Sequence, residues 1–295
     1  MLTSEQVEHY RQNGFIVMER LISLEEIAIL RAEVNRMIES APESRGAHHD
    51  RSGRPVQFPV DYSFTDLDPD GSRQVLNRIS WQLAHSEVMF RAYGNPKLLE
   101  VVENLYGPDF VPFAESTVIK MPEDGAPFTW HQDGQFRTGP QPERGINLGI
   151  YLYPSNEENG CLFVIPGSQK WGQADIAGMI KEHGERLPGS DPVPVEPGDV
   201  IVHSRNLIHG SFANHSSDLR VTVYFGFHHR PSLEEFFEKK EIEKRSRIIP
   251  LAIRKRRDSG LFPDEQPYHY QPLPEAGDLE SDEIDGILRA TPSAI

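Results

Sequence analysis

The 295-residue chain contains a single cysteine, Cys161. That excludes an internal disulfide framework and any metal cluster built on several thiolates. Cys161 lies in the apolar run GCLFVIPG, where the ordinary role is that of a buried small hydrophobe, and such sparse cysteine use suits a reducing compartment. Long apolar runs are also missing. No stretch approaches the roughly 18 consecutive apolar residues of a membrane span. The start, MLTSEQVEHYRQNG, lacks the basic segment followed by an apolar one that marks a secretory signal. The expectation is a cytoplasmic protein with no membrane partner. Positive charge is in short supply as well: 30 Lys and Arg stand against 45 Asp and Glu, a formal net charge of -15. Such a surface repels phosphate backbones and excludes a generally basic nucleic-acid binder. The run RKRR at 254–257 is flanked by acidic stretches and reads as a solvated face.

What is present is turn chemistry, with 23 Gly and 24 Pro, and a change of period along the chain. The start reads as a helix capped by Thr3 or Ser4, with Val7 and Tyr10 at near-helical spacing and Asn13-Gly14 as its stop, and Phe15–Met18 as a short strand. Ser23 and Glu26 have capping-box spacing before a helix whose stripe is Leu24, Ile27, Leu30, Val34 and Met37. Residues 43–73 are polar and aperiodic, the pattern of a lid or binding loop, and 75–106 read as helical. From 111 to 230, short β-rich runs alternate with Gly, Pro and Asn: VPFAESTVIK, GINLGIYLY, GCLFVIPG, DVIVHS and LRVTVYFGFH. Five or more such strands argue for an antiparallel sandwich or barrel. We expect one domain over 1–295, with a helical buttress and lid loop at 1–110, a β core at 111–230 and a C-terminal extension at 231–295.

The informative segment is FTWHQDG. His131 and Asp133 are two apart, so on a strand both project from one face and can share a divalent ion. PGDVIVHSRNLIHGS supplies two candidates for a third ligand, His203 and His209. Two histidines and one carboxylate form the facial triad of non-haem Fe(II) oxygenases, which leaves three positions open on one side, although Zn(II) and Mn(II) accept the same donors. Eleven residues after His209, Arg220 opens a β-rich run. Its planar fork suits a carboxylate such as the distal one of 2-oxoglutarate. Standing alone, it would be read as a surface ion pair with Asp218.

These residues occur in an order that resembles the phytanoyl-CoA dioxygenase (PhyH) family. The likeness runs from LTSEQVEHYRQNGFIVMERLISLEEIAILRAEV through WHQDG and NEENGCLFVIPGSQKWG to VEPGDVIVHSRNLIHGSFANHSSDLRVTVYF, about residues 1–230. It implies a double-stranded β-helix (jelly roll, cupin-like) core flanked by α-helices. It also implies Fe(II) held by His131, Asp133 and His209, which leaves His203 to support the ligands or to pack. In this pattern Arg220, assisted by Ser211, binds 2-oxoglutarate; Lys120 and Asn147 lie on predicted strands bordering the pocket, and Lys120 is a further carboxylate partner. The implied reaction consumes O2 and 2-oxoglutarate, releases succinate and CO2, and hydroxylates a small molecule, by a monomer or homodimer. Within the family this leaves natural-product and acyl-CoA substrates open. Outside it stand a non-oxidative cupin-type enzyme and a metal- and 2-oxoglutarate-binding protein without turnover. Phe58, Tyr62, Phe64 and Tyr268 are expected to offer aromatic surface to an apolar substrate.

Overall fold

The computed structural model describes residues 2–45, 60–133, 145–234, 237–273 and 277–289. His48, His49, Phe58 and Gly134 lie outside them. Helix α1 (Ser4–Asn13) begins with a capping box in which Thr3 accepts from the Gln6 N–H and the Gln6 side chain accepts from that of Thr3. Gly14 ends it at φ 80°, a left-handed conformation that favours glycine. Strand β1 (Phe15–Met18) follows, then α2 (Leu24–Glu39), whose first turn is capped by Ser23. Ile27, Leu30, Val34 and Met37 are buried as the stripe requires, whereas Leu24, in the first turn, is 69% exposed.

The next segment departs from expectation. Residues 61–80 form a hairpin, β2 (Asp61–Asp66) and β3 (Gln74–Ser80), and helices α3 (Glu87–Tyr93) and α4 (Pro96–Tyr106) begin only after it. Sequence pattern misleads here because β3 pairs with the next strand, β4 (Phe110–Lys120), through Arg78↔Val118, Ile79↔Thr117 and Ser80↔Ser116. Sheet pairing, a tertiary contact, overrides local periodicity. The remaining strands are β5 (Phe128–His131), β6 (Gly145–Tyr151), β7 (Leu162–Val164), β8 (Asp191–Val193), β9 (Val200–Ser204), β10 (His209–Ser211) and β11 (Arg220–His229), with α5 (Ile176–His183) between β7 and β8.

The strands form two antiparallel sheets. One has the order β1-β9-β6-β11-β4-β3-β2, the other β5-β10-β7-β8. This is the jelly-roll arrangement, with helices packed outside it. The larger sheet reaches beyond 111–230, since β1, β2 and β3 belong to it. Alternation along β11 sorts its side chains. Val221, Val223 and Phe225 enter the main hydrophobic core, while Arg220 and Tyr224 line the cavity between the sheets. Tyr93 on α3 stacks on Phe227 at 5.0 Å and meets Phe225 edge-on at 4.9 Å. Burying each such ring contributes about 1.5–3 kcal/mol, which seats the helical layer on the sheet.

The chain closes with α6 (Arg230–Leu233), α7 (Lys239–Ser246), α8 (Ile248–Asp258) and α9 (Ser281–Arg289). Tyr268, Tyr270, Leu279, Ile284 and Leu288 are buried in the same main core, so this extension is packed and not a loose tail. The basic run on α8 is paired throughout: Arg254 with Asp278, Lys255 with Glu87, Arg256 with Glu26 and Glu265, and Arg257 with Asp258. Among the described residues, no helix is long and apolar enough to cross a membrane.

Candidate metal centre and anion pocket

Register brings the two histidines together. His131 ends β5, His209 begins β10, and the two are directly opposite in the antiparallel ladder. Their rings lie 4.2 Å apart. The Asp133 carboxylate fits between them, with Oδ1 3.4 Å from His131 Nε2 and Oδ2 3.5 Å from His209 Nε2. All three ligand atoms fall within 4.8 Å of one another. Two donors each about 2.1 Å from an ion and at right angles are ~3 Å apart, so the two carboxylate–imidazole distances need only a small contraction around a metal.

The orientation of both rings is fixed from behind. His131 Nδ1 is 2.7 Å from the Thr129 carbonyl, and His209 Nδ1 is 2.9 Å from the Leu207 carbonyl. A carbonyl oxygen only accepts, so Nδ1 carries the proton in each ring and Nε2 presents its lone pair to the centre. Protonation tendencies differ between the two rings. Burial pushes His209 well below the usual imidazole range, and the neighbouring His131 adds to this. Burial alone would raise Asp133, yet His209, His131 and Arg205 together hold it well below the carboxylate range. For His131, Asp133 outweighs burial and raises the imidazole. An ionised carboxylate beside a neutral His209 is the state a cation requires. His203 lies on β9 in the other sheet, its ring 4.5 Å from that of His209, and its Nδ1 faces the Ser204 carbonyl. It stands beside the three-donor cluster and outside it.

A cavity of about 230 Å³ is lined by His131, Asp133 and His209 together with Ser211 and Arg220. Arg220 is 1% exposed, so it is not the surface partner of Asp218. Its Nη2 donates to Tyr151 Oη at 3.3 Å, Nε has no partner, and no ion pair neutralises it among the described residues. A buried guanidinium without an acidic partner has donors to spare for a carboxylate. Lys120 sits directly across the ladder from Arg220 but does not line the cavity. Its Nζ donates to the carbonyls of Ala126 and Phe212 at 2.7 and 2.6 Å. Burial, and then the adjacent Arg220, push it down to about 6. Its donors are therefore occupied, which counts against Lys120 as a carboxylate ligand.

Neighbouring motif residues have structural jobs. Trp130 and Gln132 alternate with the ligands. Trp130 Nε1 donates to the Glu185 carbonyl at 2.6 Å, while Gln132 bridges Gly172, Asn206 and Ala174. Gly160 holds φ 76°, and a Cβ there would come within 2.3 Å of the Phe212 carbonyl oxygen. Cys161 is buried, and burial pushes its thiol up to about 11.

The sequence does not point to Arg78, Tyr224 or Arg205 as cavity residues, yet all three line it. Arg78 lies over the Phe128 ring, 5.3 Å from its centroid, with its Nε unsatisfied. Its detectable signal is a cation in the middle of an alternating strand, NRIS. The aromatic expectation is corrected. Tyr62 donates to the Met37 carbonyl, Phe64 and Tyr268 are buried in the main core, and none of the three lines the cavity. They pack because they fall on core-facing positions of the hairpin and the C-terminal extension.

Comparison with known proteins agrees with this geometry. The family model described as Phytanoyl-CoA dioxygenase (PhyH) matches residues 10–222. The chain is 28% identical over 262 residues to Phytanoyl-CoA dioxygenase domain-containing protein 1 of Danio rerio, covering 76% of this chain and 89% of that protein. Among solved structures, it resembles AviO1 from Streptomyces viridochromogenes Tue57, with TM-score 0.60 and 27% identity, covering 77% of this chain and 96% of the other. It resembles EvdMO1 with TM-score 0.60 and 30% identity, covering 76% of this chain but 49% of that one. The match spans both histidines, the aspartate and the arginine, and the chain belongs to the phytanoyl-CoA dioxygenase (PhyH) family of Fe(II)/2-oxoglutarate-dependent oxygenases.

Proposed function

We propose that the protein is a 2-oxoglutarate-dependent dioxygenase that hydroxylates a C–H bond of a small polar metabolite or natural product. His131, Asp133 and His209 would hold the Fe(II), and Arg220 with Ser211 would hold the distal carboxylate of 2-oxoglutarate. The observation that carries this reading is the convergence on one cavity of three metal donors and a buried arginine with no acidic partner among the described residues. Iron and 2-oxoglutarate, when bound, supply the oxidising chemistry with O2, and succinate and CO2 are the co-products.

The chain's own residues do the placement. Backbone carbonyls fix both imidazoles before any ion arrives, which limits reorganisation on binding. Arg220 sets the orientation of a dicarboxylate by gripping one end. The substrate side is polar. Arg78, Ser116, Asn147, His203 and Tyr224 line the cavity, against Val118, Phe128 and Leu162. That lining favours a polar substrate over a long apolar chain. Each cation of the 254–257 run has a carboxylate partner, which counts against that run as a site for a coenzyme A phosphate. The test is a screen of polar metabolites against anaerobically purified, Fe(II)-loaded protein given 2-oxoglutarate and then O2. Succinate formed with a +16 Da product supports the reading. Absence of 2-oxoglutarate binding by the wild type sinks it.

A further inference from the structure

We propose that Asn147 and Arg205 form a positioning clamp that sets the rotamer of Asp133 and so tunes metal affinity. The inference rests on the metal-site reading above. Asn147 is on β6, between Gly226 of β11 and His203 of β9 in the ladder. Its Nδ2 is 2.7 Å from Asp133 Oδ2. Its Oδ1 is 3.3 Å from Arg205 Nη1, and Arg205 Nη2 donates to the Asp133 backbone carbonyl at 2.9 Å.

The polarity of this chain of contacts is dictated by chemistry. A guanidinium has donors and no acceptor, so the Asn147 atom facing Arg205 must be the oxygen. The nitrogen then faces Asp133 and donates to its carboxylate. Arg205 thereby holds Asp133 twice, directly at the backbone and through Asn147 at the side chain. Arg205 is itself buried, with its guanidinium over the Phe113 ring at 4.7 Å, so the fork has little freedom to swing. Gly226 makes room for this arrangement, because a Cβ there would approach Asn147 Oδ1 to 3.0 Å. One carboxylate oxygen is thus engaged by the amide, while Oδ1, on the His131 side, is free of a hydrogen bond from the clamp. The clamp favours single-oxygen ligation from a fixed direction.

The experiment measures Mn(II) affinity of the full chain by the loss of the free-ion EPR signal, in a double-mutant cycle. Asn147→Leu keeps the branched four-atom side chain and removes the donor. It should weaken Mn(II) about 10- to 100-fold, the range seen when partners of a ligand are lost. In an Asp133→Ala background, the same change should have no further effect beyond about twofold. Arg205→Lys, which keeps the charge and loses the fork, should fall between wild type and Asn147→Leu. A folded Asn147→Leu protein that binds Mn(II) within threefold of wild type would overturn the clamp. So would an equal loss in the Asp133→Ala background, which would mean that Asn147 acts without Asp133. If Asn147→Leu does not fold, Asn147→Ser takes its place in the cycle. Failure of both to fold assigns Asn147 to packing and also overturns the clamp. Wild type without Mn(II) affinity, or Asp133→Ala with undiminished affinity, would instead sink the metal-site reading.

Discussion

Arg220→Met separates anion binding from metal binding. The substitution keeps the aliphatic stem and removes the fork. In the ligand-free protein the guanidinium is buried, with one hydrogen bond to Tyr151 and no ion pair among the described residues. Losing it should therefore change ligand-free stability little, because an uncompensated buried charge is itself costly. With 2-oxoglutarate present, the fork offers a carboxylate two charge-assisted hydrogen bonds, each about 1.5–3 kcal/mol. Subtracting the desolvation that methionine avoids leaves about 3 kcal/mol, or on the order of 100-fold in Kd. Isothermal titration of 2-oxoglutarate into Mn(II)-loaded protein reads this directly. The rise in Tm that 2-oxoglutarate gives the wild type should vanish as well. Mn(II) affinity should stay within about threefold. A variant that binds both normally would refute the anchoring role, and equal loss of both would mark a folding defect.

Further predictions concern the metal site, pH and the scaffold. Asp133→Ala should weaken Mn(II) and abolish oxygenase turnover, and unchanged turnover in the Fe(II)-loaded variant contradicts the ligand assignment. Glu115 is buried with Oε2 unpartnered, and burial raises it from an ordinary 4.5 to about 8. Between those values the unfolded chain has lost the proton and the folded chain keeps it, so stability falls as pH rises through the window, by up to about 1 kcal/mol per unit. Glu115→Gln should flatten that slope in urea titrations at pH 5 to 8, and an unchanged slope would rule the carboxyl out as its source. Arg256 holds Glu26 through two bonds of 2.6 and 3.0 Å and Glu265 through two of 2.6 and 2.8 Å. Arg256→Ala leaves Glu26 buried and unpaired and should cost about 3–5 kcal/mol in a denaturant titration; a loss below about 1 kcal/mol would contradict a buried lock between α2 and the C-terminal extension.

The catalytic elements were legible because they are local. His131 and Asp133 declare themselves by their two-residue spacing in FTWHQDG, although β5 ends at His131 and Asp133 lies just past it, and Thr3, Gly14 and Ser23 mark helix ends by capping chemistry. The choice between His203 and His209 was not local. From spacing alone both remained open, and only cross-strand register, His209↔His131 against His203↔Phe15, puts them in different sheets. The hairpin at 61–80 was hidden for a related reason, since β3 is held by pairing with β4 and β2 by pairing with β3. Lys120 shows the limit of motif transfer. The position faces Arg220 across the ladder, but two carbonyls that no spacing rule predicts already hold its nitrogen. The clamp on Asp133 was equally invisible, because Asn147 and Arg205 are 58 residues apart and meet only across the folded sheet.

The central claim is that one cavity binds a metal through His131, Asp133 and His209 and, on that metal, 2-oxoglutarate. Its most direct test is calorimetric titration of 2-oxoglutarate into wild-type protein and the three alanine variants, each with and without Mn(II). The account predicts one equivalent bound by the wild type only when metal is present, and no such binding by His131→Ala, Asp133→Ala or His209→Ala. Metal-independent binding, or binding that survives all three substitutions, would contradict it.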